Sequence, residues 1–152
     1  NYLTILGARY RTSENFQWFF GAVHTTGYDD NLFLPAIGFY WQASERADFL
    51  FAGPFLRYKH SLTDSLDLIL GGRFSGSKWN TRADYGERDF RLKAYRTSAT
   101  LQWNLDEKHA ILSSVGWEFA REVEIKSSNG TLIREQDLDH APYFELGYRF
   151  RF

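Results

Sequence analysis

The sequence predicts an all-β protein: an eight-stranded antiparallel up-and-down transmembrane β-barrel with a polar, side-chain-filled interior. Apolar and polar residues alternate with a period of two along almost the whole chain, whereas helical periodicity is weak. Aromatic residues make up 18% of the 152 residues, yet the mean hydropathy is -0.45. A transmembrane barrel reconciles these two numbers, because its strands are apolar on the outer face and polar on the inner face.

Eight segments have the length and the alternation of strands. Most are close to the ~9–11 residues with which a tilted strand crosses a bilayer, and the sixth and seventh are longer. The predicted strands cover residues 2–12, 16–26, 32–42, 47–59, 66–76, 89–103, 109–126 and 141–152. They form one domain over residues 1–152, and their even number allows the sheet to close without an unpaired edge.

The connections between these strands contain the residues typical of turns. Five connections are short, at 12–15, 27–31, 43–46, 61–65 and 104–108, and two are longer, at 77–88 and 127–140. With eight strands, both chain termini fall at one end of the barrel and the two long connections at the other. The turns 12–15 and 43–46 are expected beside the long connections, and the other short turns beside the termini.

One face of the predicted strands collects charged residues among Gly, Ser and Ala. The predicted polar network of the lumen consists of Arg9, Arg57, Arg73, Arg96, Glu118, Glu145 and Arg149. A soluble barrel would instead turn its apolar face inward around a ligand. An arginine that faced lipid near the midplane would cost ~2–4 kcal/mol, whereas an arginine inside the barrel can pair with a carboxylate. The interior of an eight-stranded barrel has room for such side chains and little more.

The opposite face carries large apolar residues. In the fourth strand, Leu50, Ala52 and Pro54 are expected to point outward, which leaves Phe51 and Phe55 pointing inward. The second strand, FQWFFGAV, is apolar on both faces, so its orientation stays open. Trp and Tyr favour membrane–water interfaces. The predicted aromatic girdle consists of Trp18, Trp41, Tyr58, Trp103, Trp117 and Tyr148.

The composition excludes several classes of protein and of site. Without cysteine, the chain has no disulfide, no thiol nucleophile and no thiolate metal ligand. The net charge of -1 argues against a nucleic-acid partner, which would favour a basic surface. No run approaches the ~18 apolar residues of a membrane-spanning helix, so a helical membrane protein is excluded.

No metal or cofactor site is predicted. The four histidines, His24, His60, His109 and His140, lie near strand ends and at opposite ends of the predicted barrel. His140 follows Asp137 and Asp139, but the pattern DLDH is too general to indicate a cation site.

The last residues, LGYRFRF, resemble the C-terminal strand of bacterial outer-membrane proteins. In that class a terminal Phe, preceded by aromatic or apolar residues at alternate positions, is the signal read by the barrel-insertion machinery. Leu146, Tyr148, Phe150 and Phe152 match this assembly signal. The resemblance implies a location in the bacterial outer membrane, with the lipid bilayer and the insertion machinery as partners. It also implies that the chain termini face the periplasm.

A second resemblance covers most of the chain. Residues 34–46, 51–58 and 137–150 resemble segments of an uncharacterised family of bacterial outer-membrane barrel proteins. That family implies a fold and a location, and it supplies no catalytic residues.

Three functions follow from this fold, and the packed interior favours the first. A non-enzymatic scaffold or subunit of an envelope assembly would use 77–88 and 127–140 as its contact surface, with Trp79 and Tyr85 as candidate contact residues. A lipid-modifying enzyme would need a nucleophile, a base and an acid at the rim, for which Ser77 or Ser127 with His140 and Asp84 are candidates. A narrow channel for ions or small solutes would use the charged residues of the lumen.

Overall fold

The alternation along the chain produces strands that all belong to one sheet. The computed structural model describes residues 3–28, 30–83, 86–127 and 129–152. In this part of the chain, no helix is long and apolar enough to cross a membrane. The strands are β1 (Leu3–Ser13), β2 (Phe16–Tyr28), β3 (Asp30–Ser44), β4 (Ala47–Ala52), β5 (Phe55–Ser61), β6 (Leu66–Ala83), β7 (Gly86–Asn104), β8 (His109–Ser127), β9 (Leu132–Leu138) and β10 (Ala141–Phe150).

The strand order is up-and-down, which confirms the predicted antiparallel all-β architecture. Each strand from β1 to β8 pairs with the next strand along the chain. Both β9 and β10 pair with β8, β9 along residues 121–126 and β10 along residues 109–118. β9 and β10 therefore lie one after the other along the same side of β8. The ten strands thus occupy nine positions across the sheet.

Two parts of the predicted barrel are wrong. The described residues form ten strands rather than eight, and the sheet is not closed, because β1 and β10 lie at its two edges. The predicted connections 77–88 and 127–140 are also largely strand: β6 continues to Ala83, β7 starts at Gly86 and β9 covers 132–138. Beyond Tyr95, opposite charges pair between β7 and β8, Lys93 with Glu122 and Arg91 with Glu124. Such pairs stabilise a sheet as apolar pairs do, so these strands continue past the apolar residues.

The predicted fourth strand is a hairpin. Ala52 pairs with Phe55, so Gly53 and Pro54 form a two-residue turn between β4 and β5. Gly53 has a φ of 59°, a conformation that glycine adopts without strain. The turn changes which residues share a face: Phe51 on β4 and Leu56 on β5 are cross-strand partners and lie on the same side of the sheet.

The hairpin changes which residues share a face. Phe51 also pairs with Phe39, so it lies on the apolar side, and its expected inward position is wrong. Leu50 pairs with Arg57 on the opposite face, so its expected outward position is wrong as well. Phe55 lies opposite Arg73 and points to the polar side, as predicted.

Cross-strand partners share a face of a sheet, so the register shows which side chains lie together. Val115 pairs with Ala99 on one side and with Phe144 on the other, and Trp18 pairs with Tyr10 and Phe39. Pairs of this kind form an apolar face that reaches from β1 to β10. Its large exposed side chains are Leu6, Tyr10, Phe20, Phe33, Ile37, Trp41, Leu56, Leu70, Phe74, Tyr95, Leu101, Trp103, Ile111, Val115, Trp117, Phe119, Phe144, Leu146, Tyr148 and Phe150.

A β-bulge ends the apolar face. The register of β7 with β8 shifts between Lys93 and Tyr95, and Ala120 on β8 has a φ of 46°. β7 stays regular against β6, so Lys93 lies on the same face as Tyr95. Beyond the row formed by Phe74, Tyr95 and Phe119, this face carries charged residues in place of aromatic ones.

The connections divide between two ends of the sheet. The long-hairpin end contains the adjoining ends of β6 and β7, of β8 and β9, and of β2 and β3. The turn at 52–55 points to the same side but stops short of it, between Gly38 on β3 and Arg73 on β6. The short-turn end contains the C-terminal residues and the turns at 13–16, 44–47, 61–66 and 104–109. The predicted position of 12–15 and 43–46 beside the long connections is wrong, and so is that of 27–31 beside both termini, because the β4–β5 hairpin reverses the chain once more. For the same reason, Leu3 and Phe150 lie at opposite ends.

Tyr143 of β10 crosses the sheet over Gly116 of β8. The two residues are direct cross-strand partners, and the Tyr143 hydroxyl donates a hydrogen bond of 3.1 Å to the carbonyl oxygen of Thr97 on β7. A Cβ atom at position 116 would collide with the Tyr143 ring and with the Thr97 carbonyl oxygen. Gly116 therefore leaves the space in which one aromatic side chain ties three strands together.

We expect Gly116→Ala to destabilise the sheet by about 1–3 kcal/mol, because the added methyl group displaces the Tyr143 ring or the β7 backbone. Gly147→Ala is the matched control, since a Cβ atom there would meet Leu112 Cβ at an ordinary 3.8 Å. Urea unfolding followed by tryptophan fluorescence measures both variants. Equal stability of the two would contradict the packing described for Gly116.

Candidate functional site

The face opposite the apolar face, here called the polar face, is the candidate site. Arg73, Arg96 and Glu118 are direct neighbours on β6, β7 and β8, which places all three on it. Strand alternation and register bring the whole predicted network to this face. Its members are Arg9, Arg57, Arg73, Arg96, Glu118, Glu145 and Arg149.

Arg96 is the centre of one cluster on the polar face. Its Nε donates a hydrogen bond of 2.8 Å to Glu118 Oε1, and a second guanidinium nitrogen contacts the same carboxylate. The guanidinium lies 4.5 Å from the centre of the Tyr143 ring, a cation–π distance. Arg121 Nε lies 3.4 Å from Glu118 Oε2. The cluster joins β7, β8 and β10 through one carboxylate and one aromatic ring.

Asp67 is the centre of a second cluster, near the short-turn end. Its side chain is only 5% exposed. Asp67 Oδ1 accepts a hydrogen bond of 2.7 Å from Ser61, and Oδ2 accepts bonds of 3.2 Å from Gln102 and 3.1 Å from Asn104. Lys59 Nζ lies 3.1 Å from Oδ2 and balances the charge. Both oxygens of this buried carboxylate are satisfied, as burial of a charge requires.

A cavity of about 360 Å³ adjoins the Asp67 cluster. Lys59, Gln102, His109 and Arg149 are among the residues that line it. Arg149 contacts Asn104 at 3.5 Å, and its Nε is buried without a hydrogen-bond partner in the described residues. Arg149 thereby extends the cluster from β5, β6 and β7 to β10.

The remaining arginines of the polar face divide into paired and unpaired ones. Arg57 forms an ion pair of 2.8 Å with Asp48 on the neighbouring β4. In the part of the chain that the structure describes, Arg9, Arg11 and Arg73 form no ion pair. The polar face is therefore rich in unneutralised guanidinium groups along β1.

Beyond the bulge, charged residues also occupy the side of the sheet on which the apolar face lies. This charged belt consists of Arg91, Lys93, Glu122, Glu124 and Lys126. Lys93 contacts Glu122 at 2.7 Å and also binds Glu124, while Arg91 and Lys126 lie 3.5 Å and 3.6 Å from the Glu124 carboxylate. The hydrogen bond from Lys93 lowers the pKa of Glu124, and the bonds to Glu122 and Glu124 raise the pKa of Lys93. The belt is thus a network of ion pairs centred on the Glu124 carboxylate.

The predicted girdle residues all lie on the apolar face, but most are at one end. Trp18, Trp41, Tyr58, Trp103 and Tyr148 lie in the half of their strands nearer the short-turn end, and Trp117 lies near the bulge. The aromatic row at the long-hairpin side is instead Phe74, Tyr95 and Phe119, whose neighbouring ring centroids are 5.6 Å and 5.9 Å apart. The sequence analysis did not predict this row, because it did not detect the bulge that ends the apolar face there.

Of the two predicted loop contacts, Trp79 lies within β6 and pairs with Phe90 of β7. Its side chain is 52% exposed. It points to the face opposite the charged belt, where Leu92, Val123 and Ile125 also lie. Tyr85 lies outside the described residues.

The candidate nucleophiles do not form a site in the described residues. Ser127 Oγ bonds to Asn129, and Ser77 lies in β6 opposite Leu92. His140 lies between β9 and β10, and Asp84 lies outside the described residues. Among the residues that the structure describes, no group of three or more His, Asp or Glu side chains is arranged to hold a metal ion.

The residues of the predicted assembly signal lie along the edge strand β10. Leu146, Tyr148 and Phe150 are exposed on the apolar face, Leu146 to 71%. The Phe150 ring contacts both His109 and Phe152, with centroid distances of 5.0 Å in each case. The signal residues therefore form a continuous apolar edge that ends at the short-turn end.

These features define a class of all-β protein: one antiparallel up-and-down sheet with an exposed apolar face and a polar face that carries charge clusters. The chain belongs to the family described as a domain of unknown function, DUF6268, whose model matches residues 6–151. No curated protein and no solved structure matches the chain.

We expect Asp67→Asn to lower the free energy of unfolding by about 1–3 kcal/mol, because it leaves Lys59 without its counter-charge among buried donors. Asp64→Asn is the matched control, since Asp64 lies exposed in the turn between β5 and β6. Urea unfolding at neutral pH compares the two variants. A loss for Asp64→Asn as large as that for Asp67→Asn would contradict the structural role of the cluster.

Proposed function

We propose that this chain is a non-enzymatic β-sheet protein of the bacterial outer membrane, which acts as a scaffold or interaction subunit of an envelope assembly. In this proposal the apolar face meets the acyl chains of the lipids. The polar face is turned to the interior of a barrel, where its charges are shielded from lipid.

One observation carries the proposal: large apolar side chains are exposed on the same face of neighbouring strands from one edge of the sheet to the other. Exposed apolar patches above a few hundred Å² mark interaction surfaces or membrane contacts in stable proteins. A sheet that faces water on one side normally exposes its polar side. On its polar face, this sheet pairs Arg96 with Glu118, Arg57 with Asp48 and Lys59 with Asp67, which suits an interior.

The height of the apolar band supports a membrane as the partner of this face. On β7, the band reaches from Trp103 to Tyr95, which is about 27 Å along the strand at ~3.4 Å per residue. A strand tilt of about 35–45° reduces this to roughly 20 Å, close to the apolar band of about 25 Å in outer-membrane barrels. The charged belt begins at Lys93, where a strand would leave the hydrocarbon.

The different lengths of the connections at the two ends of the sheet support one orientation of the protein in the membrane. Barrels of this class have short turns on the periplasmic side and longer excursions outside. The short-turn end would then face the periplasm, together with the last residues of β10. This agrees with the resemblance of Leu146, Tyr148, Phe150 and Phe152 to an assembly signal. The β6–β7 and β8–β9 hairpins would project from the outer surface.

The projecting hairpins are the contact surface of the proposed scaffold. Trp79, which is half exposed, lies there among Phe90, Leu92, Val123 and Ile125. This apolar group faces away from the charged belt, so it would line the outer mouth of the barrel. Trp is enriched among the residues that dominate binding energies at protein interfaces.

We expect Val115→Arg to oppose folding into lipid vesicles by about 2–4 kcal/mol, because Val115 lies in the middle of the apolar band and is 55% exposed. Leu132→Arg is the matched control, since Leu132 is 48% exposed but lies on β9 beyond the bulge. Unfolding free energies in vesicles measure both variants. The proposal fails if Val115→Arg is as harmless as its control, or if the protein stays monodisperse without amphiphile.

We expect the protein to co-purify with a second envelope protein from native membranes in mild detergent, and Trp79→Ala to weaken this association about 30-fold, equivalent to ~2 kcal/mol. Leu105→Ala is the control, since Leu105 is 49% exposed but lies in the turn at 104–109, at the short-turn end. Titration of the purified pair measures the effect. An association that is indifferent to Trp79, or absent in the wild type, would count against a scaffold at this surface.

A further inference from the structure

The two edges of the sheet carry unpaired backbone groups over considerable lengths. In the described part of the chain, β1 pairs on one side with β2, and β10 pairs on one side with β8. Open edges of this kind are templates for a further strand. Within a membrane they are costly, because lipid offers no hydrogen-bond partner to the exposed amides.

The directions of the two edge strands decide what fits between them. The sheet is nine positions wide and every described neighbour is antiparallel, so β1 and β10 run in the same direction. Direct pairing of β1 with β10, in one chain or between two copies in the same membrane orientation, would be parallel. One inserted strand is antiparallel to both edges and gives the even number found in bacterial outer-membrane barrels.

The side chains of the edges indicate the chemistry of that strand. β1 exposes Leu6 and Tyr10 on the apolar face, and β10 exposes Phe144 and Leu146 on the same face. The inserted strand therefore needs apolar residues at alternate positions on this side. Its other side would continue the polar face.

Charge complementarity adds a requirement on the polar face of β1. Arg9 and Arg11 form no ion pair in the described residues, and their cross-strand partners on β2 are Phe19 and Gln17. No carboxylate on the neighbouring strand is opposite them. A strand on the open side of β1 would lie directly beside both arginines and could supply one, and in the low-dielectric interior of the proposed barrel an unpaired guanidinium needs it.

We propose that the seam between β1 and β10 receives one amphipathic β-strand of a partner polypeptide segment, antiparallel to both edges, with Asp or Glu opposite Arg9 and Arg11. The binding mode is strand addition, in which the backbone supplies affinity and alternate side chains supply specificity. The inference rests on the proposed membrane-embedded function and deepens it, because it defines a partner by its chemistry.

Two synthetic peptides test the proposal against residues 1–152 refolded in lipid vesicles. Both have the 11-residue length of β1 and the same alternating apolar face, and their polar faces carry either Glu or Lys. Fluorescence anisotropy of labelled peptide is expected to show at least tenfold tighter binding of the Glu peptide, about 1.4 kcal/mol. The double variant Arg9→Gln/Arg11→Gln should lose this preference. Arg46→Gln/Lys108→Gln, with the same change of charge in two exposed turns between inner strands, should keep it.

Cysteine pairing tests the direction of the added strand. The chain contains no cysteine, so Ala8→Cys supplies a single thiol on β1. A Glu peptide with one cysteine is expected to form a disulfide with it in the antiparallel register. Equal binding of the two peptides, or no binding, overturns the proposal. A disulfide between Ala8→Cys and Leu146→Cys, within one chain or between two copies, overturns it too, because the seam would then be closed without a partner.

The outcome separates this inference from the proposed function. A protein that does not enter vesicles contradicts the membrane proposal and, with it, the partner strand. A protein that inserts and yet shows no preference for the Glu peptide contradicts the partner strand, and the membrane proposal stands.

Discussion

The structure depends on strand alternation, which separates charged side chains from aromatic side chains. Because successive side chains point to opposite faces, one register places guanidinium and carboxylate groups on one side and aromatic rings on the other. A shift of one residue in any strand would put Arg96 or Arg149 among the rings and Trp117 or Phe144 among the charges. The ion pair of Arg96 with Glu118 and its contact with the Tyr143 ring connect β7, β8 and β10, and the hydrogen bonds of Asp67 connect β5, β6 and β7. These contacts also hold the register that makes the separation possible.

The bulge beside Tyr95 lies where charged residues replace aromatic ones on the same face of the sheet. On β7 a single regular strand carries aromatic and apolar residues up to Tyr95 and then Lys93 and Arg91 on the same face. The other face changes in the opposite sense, from Arg96 to Leu92 and Phe90. In the proposed membrane orientation, this exchange lies where a strand would pass from hydrocarbon to water.

The alternation was sufficient to predict the antiparallel up-and-down order and to place the arginines of the network on one side of the sheet, but it gave eight strands instead of ten. It was insufficient where apolar residues continue through a turn. Leu50, Ala52, Pro54 and Leu56 keep a perfect period of two across the Gly53–Pro54 turn, so no change of pattern marked the hairpin. The partners of Asp67 and the position of Tyr143 over Gly116 depend on register between distant strands, which alternation within one strand does not specify.

The central claim is that the apolar face contacts acyl chains and the opposite face does not. The most direct test uses single-tryptophan variants that retain either Trp117 or Trp79, refolded into vesicles whose lipids carry bromine in the middle of the chain. If the apolar face contacts acyl chains, the lipid is expected to quench Trp117 strongly and Trp79 little. A water-soluble quencher should reach Trp79 instead. Equal quenching of both by the lipid, or ready access of the water-soluble quencher to Trp117, would contradict the central claim.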